Sequence, residues 1–177
     1  MLFEWVRTIK QKIPEFAAFM DFITVTGLRF EEALHAYNLF VELTRSGRLD
    51  EYYNAEQHIL EHFRFKNLFL RKTKKAFMSY VPKELIEEIG SKGSPLTRDM
   101  IIKRIQRLRL KQRFADLREF HASYSTKYLR QPEIDFIQGR VSASVFMRNY
   151  FNPMWIVDLK DRTLKNANEL LELTEPR

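Results

Sequence analysis

The chain has 177 residues, 45% of them hydrophobic, and 30 Lys and Arg stand against 23 Asp and Glu for a net charge of +7. That length predicts one domain with a proper hydrophobic core, and the apolar content excludes a disordered chain, while the basic excess favours a polyanionic partner, nucleic acid ahead of an anionic membrane surface. No apolar run approaches the ~20 residues of a membrane helix, Met1-Leu2-Phe3-Glu4-Trp5 is not a secretory signal, and the lack of cysteine removes disulfides, thiolate metal sites and thiol nucleophiles.

Residues 2 to 12 read as a helix, and Pro14 opens a second one where its missing N–H does no harm. Phe16, Phe19, Met20, Phe22 and Ile23 fall at helical spacing and are expected in the core. Thr26-Gly27 interrupts the pattern and Leu28 restarts it, with Thr26 as the expected N-cap and Glu31 and Glu32 at the positive end of the helix dipole. Arg29 is a cation where that dipole is least favourable. It is either a surface arginine paired with a glutamate, or an anion ligand held by Glu32 three residues on.

Ser46-Gly47 is a helix stop. Aromatic and aliphatic runs at 59–65, 68–70 and 76–81 then predict a small antiparallel sheet, with Arg71-Lys72-Thr73-Lys74-Lys75 as a hairpin tip. Such a tip is either merely solvated or a means of delivering a lysine to a phosphate. Pro82 opens a short helix ending at Gly90, and 91–95 is a flexible loop. Thr97 caps the next helix, whose apolar side carries Met100, Ile101, Ile105 and Leu108. Its remaining surface is crowded by Lys103, Arg104, Arg107, Arg109 and Lys111, a face that is either ordinary solvated surface or a phosphate-tracking one.

A helix from Phe114 to about Lys127 places Arg118 and His121 on one face. Pro132 starts another, with Gly139 at its C-cap. Arg140 follows at once, then a segment carrying Tyr150 that Asn152-Pro153 interrupts. Residues 161–172 form a last amphipathic helix with Leu164, Ala167, Leu170 and Leu171 on one side. The four histidines, His35, His58, His62 and His121, show no metal-binding spacing.

In this order the elements resemble the catalytic domain of a tyrosine recombinase, most closely the integrases of archaeal viruses and plasmids of the fusellovirus type. Thr26-Gly27-Leu28-Arg29-x-x-Glu32 is similar to that family's first box and Leu117-Arg118 to its second. Ile137-Gln138-Gly139-Arg140-Val141 is similar to the archaeal third box, where arginine replaces the commoner histidine, and Tyr150 stands ten residues beyond Arg140. The hairpin lysine of the family commonly precedes a proline by eight residues, which selects Lys74 ahead of Pro82, with Lys72 second. The second box usually opens with histidine or lysine; here the position is Ala115, so Arg113 or His121 substitutes or one phosphate contact is missing.

The resemblance implies an α+β fold, mainly helical with one small antiparallel sheet, the tyrosine recombinase catalytic-domain fold, spanning 1–177 as a single domain. It also implies that the DNA-gripping N-terminal domain of such integrases is absent, as in a catalytic domain alone or the C-terminal part of a split gene. The implied function is site-specific recombination, the integration or excision of a viral or plasmid genome, by DNA strand cleavage and rejoining through a 3′-phosphotyrosine. Tyr150 would be the nucleophile, Arg29, Arg118 and Arg140 the phosphate ligands and Lys74 the acid. Glu32, Lys72 and His121 would support them, and Lys103, Arg104, Arg107 and Lys111 would follow DNA.

No metal or other cofactor is implied, nor a membrane or small-molecule substrate. The expected partner is double-stranded DNA at attachment sites, with self-association on it, in the host cytoplasm. The C-terminal helix is expected either to dock on a neighbouring protomer, as in many such recombinases, or to pack on its own domain. The rival readings are a non-catalytic DNA-binding module on the same scaffold, a structural helical protein with surface arginines, and a type IB topoisomerase-like relaxing enzyme.

Overall fold

The computed structural model describes residues 2–72, 74–141, 145 and 158–176, the side chain of Lys74 excepted. Its centre is α2 (Ala17–Thr26), in which every residue from Ala18 to Thr26 is buried. A helix apolar on all sides must be enclosed. Around it lie α1 (Leu2–Lys12), α3 (Phe30–Arg45), α5 (Lys83–Lys92), α7 (Phe114–Ser125) and α9 (Leu159–Thr174). The fill is aromatic: Phe19 meets Phe30, Tyr37 and Phe114 edge-on, with ring centres 5.5–6.3 Å apart. A second, smaller apolar cluster joins Tyr80, Leu129, Ile134, Phe136, Ile137 and Leu159.

Among the described residues three helices begin with an arginine followed three residues later by an acid. In α3, Glu32 accepts from the Arg29 backbone N–H at 3.4 Å; in α7, Asp116 accepts from that of Arg113 at 2.8 Å. In α8 (Gln131–Ile137), Glu133 does so from Arg130 at 2.8 Å. An arginine side chain has no acceptor with which to cap a helix, so the carboxylate reaches back instead. This explains a cation at the start of α3. Thr26 is not the N-cap expected there: it ends α2, its hydroxyl donating to the Phe22 carbonyl at 2.9 Å. The reversal falls on Gly27, whose φ of +60° is left-handed.

The sheet is more fragmented than the aromatic runs predict. Strands β1 (Tyr53–Asn54), β2 (Ile59–Leu60) and β5 (Ser79–Tyr80) form an antiparallel sheet in the order β1-β2-β5. β3 (Leu70–Arg71) and β4 (Lys74–Lys75) pair apart from it as a hairpin. Residues 62–64 and 68–69, expected as strand, fall in helical turns: a 3₁₀ turn His62–Arg64 and α4 (Lys66–Phe69). Packing overrides the alternation there. The turns let Phe65, Phe69 and the His62 ring close around Tyr52, with ring centres 5.3–6.2 Å from it. The His62 ring bridges Tyr52 Oη at 2.6 Å and Ser79 Oγ at 2.8 Å, so one neutral tautomer satisfies this buried polar chain.

Other boundaries move for local reasons. α5 runs through Gly90 to Lys92 and ends at Gly93, whose N–H bonds the Ile89 carbonyl at 2.8 Å. Thr97 does cap α6 (Arg98–Arg107), accepting from the Met100 N–H at 3.2 Å. Ile101 and Ile105 are buried, whereas Met100, expected on the apolar side, is 37% exposed. α9 lies on its own domain, burying Leu159, Thr163, Asn166, Ala167, Leu170 and Thr174 against α2, α1 and β5. Arg162 fastens it to α8 with two hydrogen bonds of 2.8 Å to Glu133. Docking of α9 on a neighbouring protomer is therefore set aside. Among the described residues no helix is long and apolar enough to cross a membrane.

Candidate phosphate-binding site

The C-terminal end of α2 is where the site is assembled. α7 crosses it and lays two side chains on its last carbonyls: Arg118 Nη1 donates to Gly27 O at 2.9 Å and His121 Nε2 to Val25 O at 3.2 Å. A cation there meets the negative end of the helix dipole. Gly27 is needed twice, for its positive φ and because a Cβ would collide with the His121 ring.

One residue past Leu28, Arg29 is about one-third exposed and donates from Nη1 to Glu32 Oε1 at 3.1 Å, while Glu32 is fully buried. From the other side comes the turn after α8. Gly139 has φ +67°, and a Cβ on it would lie 3.0 Å from the Ala76 nitrogen and 3.1 Å from the Lys75 carbonyl carbon. The strand returning from the hairpin thus passes directly against Gly139, beside Arg140. Arg140 donates from Nη2 to Glu119 Oε1 and from Nε to Gln138 Oε1, both at 2.8 Å.

These arginines act on one another. Burial pushes the Arg118 guanidinium down to about 10, and the charges of Arg29 and Arg140 push it the same way, opposed by Glu32 and Glu119. Three guanidinium groups therefore share one place with two carboxylates. His121 is driven down to about 4, first by burial and then by Arg118 and Arg140, so it is neutral at pH 7. Both its ring nitrogens are engaged inside the protein, Nδ1 with Gln138 Nε2 at 2.9 Å. It does not fill the place that Ala115 leaves open. Ala115 itself is exposed, and Arg113, exposed as well, is paired with Asp116 at 3.1 Å.

Of the other sequence candidates, Lys72 is exposed at the hairpin tip and Lys74 lies in β4. Tyr150 lies outside the described residues. On α6, Lys103 pairs with Asp99 at 3.2 Å and Arg104 with Glu15 while lying over the Phe16 ring, and Arg107 is exposed; Lys111, expected on this helix, is exposed in the connection beyond the left-handed Arg109. Arg98, at the start of α6, bonds Glu31 at 2.8 Å, which brings this basic helix to the element that opens with Arg29.

Sequence reading passed over Gln138 and Glu119 as partners. Gln138 had a weak signal: it falls one helical turn after Ile134 and directly follows Phe136-Ile137, among residues that are buried, where an amide must find partners. Glu119 had none, because its role depends on where the α8 turn lands. Among the described residues no group of His, Asp and Glu side chains gathers as a metal site.

In comparisons with known proteins, the family model described as archaeal phage integrase matches residues 2–164. No curated protein and no solved structure matches the chain.

Proposed function

The chain belongs to the archaeal phage integrase family, and from that premise we propose that it is a site-specific DNA recombinase that cleaves and rejoins strands through a covalent 3′-phosphotyrosine on Tyr150. The observation that carries this reading is that Arg118 bonds the Gly27 carbonyl two residues before Arg29, while the Gln138 amide bonds both the Arg118 carbonyl and the Arg140 guanidinium. Crowded cations of this kind are relieved by an anion. Guanidinium groups offer a phosphodiester paired N–H donors whose grip strengthens as charge builds on its non-bridging oxygens.

In the proposed reaction Tyr150 Oη attacks phosphorus, making a tyrosyl P–O bond as the bond to the 5′ oxygen breaks. The phenol, with an ordinary pKa of about 10, gives its proton to a base or to solvent as the arginines offset the charge. The leaving 5′ oxygen takes a proton from Lys74, and the strand returning from its hairpin runs beside Arg140. A 5′-hydroxyl from a second strand then attacks the phosphotyrosine, expels the tyrosine and reseals the DNA. The fold of a tyrosine recombinase catalytic domain, with assembly of several protomers on attachment-site DNA, belongs to the same proposal.

The exposed Ala115 supports a second reading, a DNA-binding module on the recombinase scaffold that does not cleave. Separating binding from cleavage distinguishes the two. In the recombinase, Arg29→Ala leaves duplex affinity nearly intact and slows cleavage about a hundredfold, a loss of about 3 kcal/mol of transition-state stabilisation. A wild-type chain that binds duplex without ever cutting it favours the module.

A further inference from the structure

We infer that Gln138 is a positioning residue of this site: one buried carboxamide holds Arg140 on one side and the Arg118 turn of α7 on the other, and acts on phosphate through them. The inference deepens the recombinase reading and rests on it for its rate effects. Gln138 is fully buried. Its Nε2 donates to the Arg118 carbonyl at 3.0 Å and to His121 Nδ1 at 2.9 Å, and its Oε1 accepts from Arg140 Nε at 2.8 Å. Both amide hydrogens and the carbonyl oxygen are therefore used.

The chemistry of the partners fixes the orientation of the amide. Turned over, it would set an N–H donor against the Arg140 Nε–H and an oxygen against the Arg118 carbonyl, two repulsive contacts in place of two hydrogen bonds. The His121 tautomer is fixed as well: Nε2 carries the proton toward Val25 O, which leaves Nδ1 free to accept from Gln138. The resulting chain runs from α2 through His121 and Gln138 to Arg140, and it uses both ring nitrogens of His121 and both N–H groups of the amide.

Arg140 gains most from it. It follows a left-handed glycine at the end of α8, and its other described side-chain hydrogen bond goes to Glu119, whose side chain is 69% exposed. A solvated carboxylate orients a guanidinium weakly. A buried amide oxygen on Nε sets the plane of the guanidinium and turns its outer edge away from the core. Gln138 thereby couples two arginines that no backbone hydrogen bond joins.

The test is a double-mutant cycle on single-turnover cleavage of a duplex, read beside duplex affinity and the urea unfolding midpoint. Gln138→Leu keeps the bulk and removes all three hydrogen bonds; Gln138→Met replaces it if the leucine variant does not fold. The expected result is duplex affinity close to wild type with cleavage slowed on the order of tenfold or more, since small displacements of positioned groups carry large rate costs. In an Arg140→Ala background the same change adds about threefold or less, because residues that act as a unit are not additive. An equal slowing in both backgrounds, or cleavage unchanged by Gln138→Leu, overturns the inference.

Proton exchange at the Arg140 Nε–H, followed by NMR on arginine-labelled protein, separates this outcome from a failure of the recombinase reading. Slow exchange in wild type and fast exchange in Gln138→Leu upholds the positioning role even in a protein that never cleaves. Equally fast exchange in both removes that role whatever the activity.

Discussion

The Arg118 guanidinium is desolvated, is pressed by two neighbouring arginines and lies against the last carbonyl of the α2 turn. Truncating it removes the strut between α7 and Gly27 and, on the proposed reading, a phosphate ligand as well. Arg118→Ala is therefore expected to slow cleavage more than Arg29→Ala does, and to lower the urea midpoint as well, which Arg29→Ala leaves nearly unchanged. Equal effects of the two on both readouts would contradict that division. The buried histidines make a separate prediction. His121 titrates near 4 and His62, fully buried, near 3, both below the ordinary value of 6.5. The unfolded chain thus binds more protons than the folded one as pH falls below 6.5, and each histidine removes about 1.4 kcal/mol of stability per pH unit until its folded value is reached. Asp21 works the other way: burial, only partly offset by Lys10, raises it to about 6, so between 6 and 3.8 the folded state takes up its proton and gains stability as pH falls. Stability is expected to be flat above pH 6.5 and to fall by roughly one histidine's worth per unit between pH 6 and 4. Urea midpoints measured from pH 7.5 to 4.5 check this, and midpoints that stay constant to pH 4.5 would contradict it.

At the scale of elements, α9 and the hairpin make opposite predictions. α9 supplies buried Ala167 and Leu170 to the packing around α2, so deleting residues 161–177 is expected to unfold the domain, and Leu170→Ala to cost about 3 kcal/mol in urea unfolding. A deletion that stays folded would return α9 to the protomer-docking role. The hairpin is short and exposed around Lys72, and losing one of its side chains leaves the core alone. Lys74→Ala is expected to keep full stability and to cleave slowly, with the rate restored on a 5′-bridging phosphorothiolate whose sulfur leaves without a proton. Failure of that rescue would move the acid to Lys72 or elsewhere. The helices were legible because stripes such as Phe16, Phe19, Phe22 and Ile23 repeat at the helical period. The strands were not, since each is two residues long and alternation needs more. Arg29, Arg118 and Arg140 were singled out by the resemblance of their boxes to the recombinase family, whereas the residues alone left Arg29 open between a paired surface arginine and an anion ligand. Gln138 was not given a role, because a buried amide is defined by partners on other elements, here Arg118 and His121 on α7.

For the whole molecule, the net charge of +7 is distributed unevenly in effect. Lys103 and Arg104 are engaged with Asp99 and Glu15, whereas exposed Arg107 ends the same helix and exposed Lys111 lies in the connection that follows it. If this surface follows DNA, Arg107→Ala and Lys111→Ala each reduce the slope of log affinity against log salt by about 1. Lys103→Ala and Arg104→Ala change it less, because their counter-charges are already internal. Equal changes for all four would contradict that ranking. Such binding brings a phosphodiester to the arginine cluster but does not by itself make the protein an enzyme. The most direct test is a covalent one. A duplex that loses a short fragment on cleavage, so that rejoining is blocked, is incubated with the protein and run on a denaturing gel. The account predicts a protein–DNA adduct that withstands denaturation, carries a label placed on the strand 5′ of the break and is abolished by Tyr150→Phe. An adduct that persists in Tyr150→Phe, or a wild-type protein that binds the duplex and forms none, would contradict it.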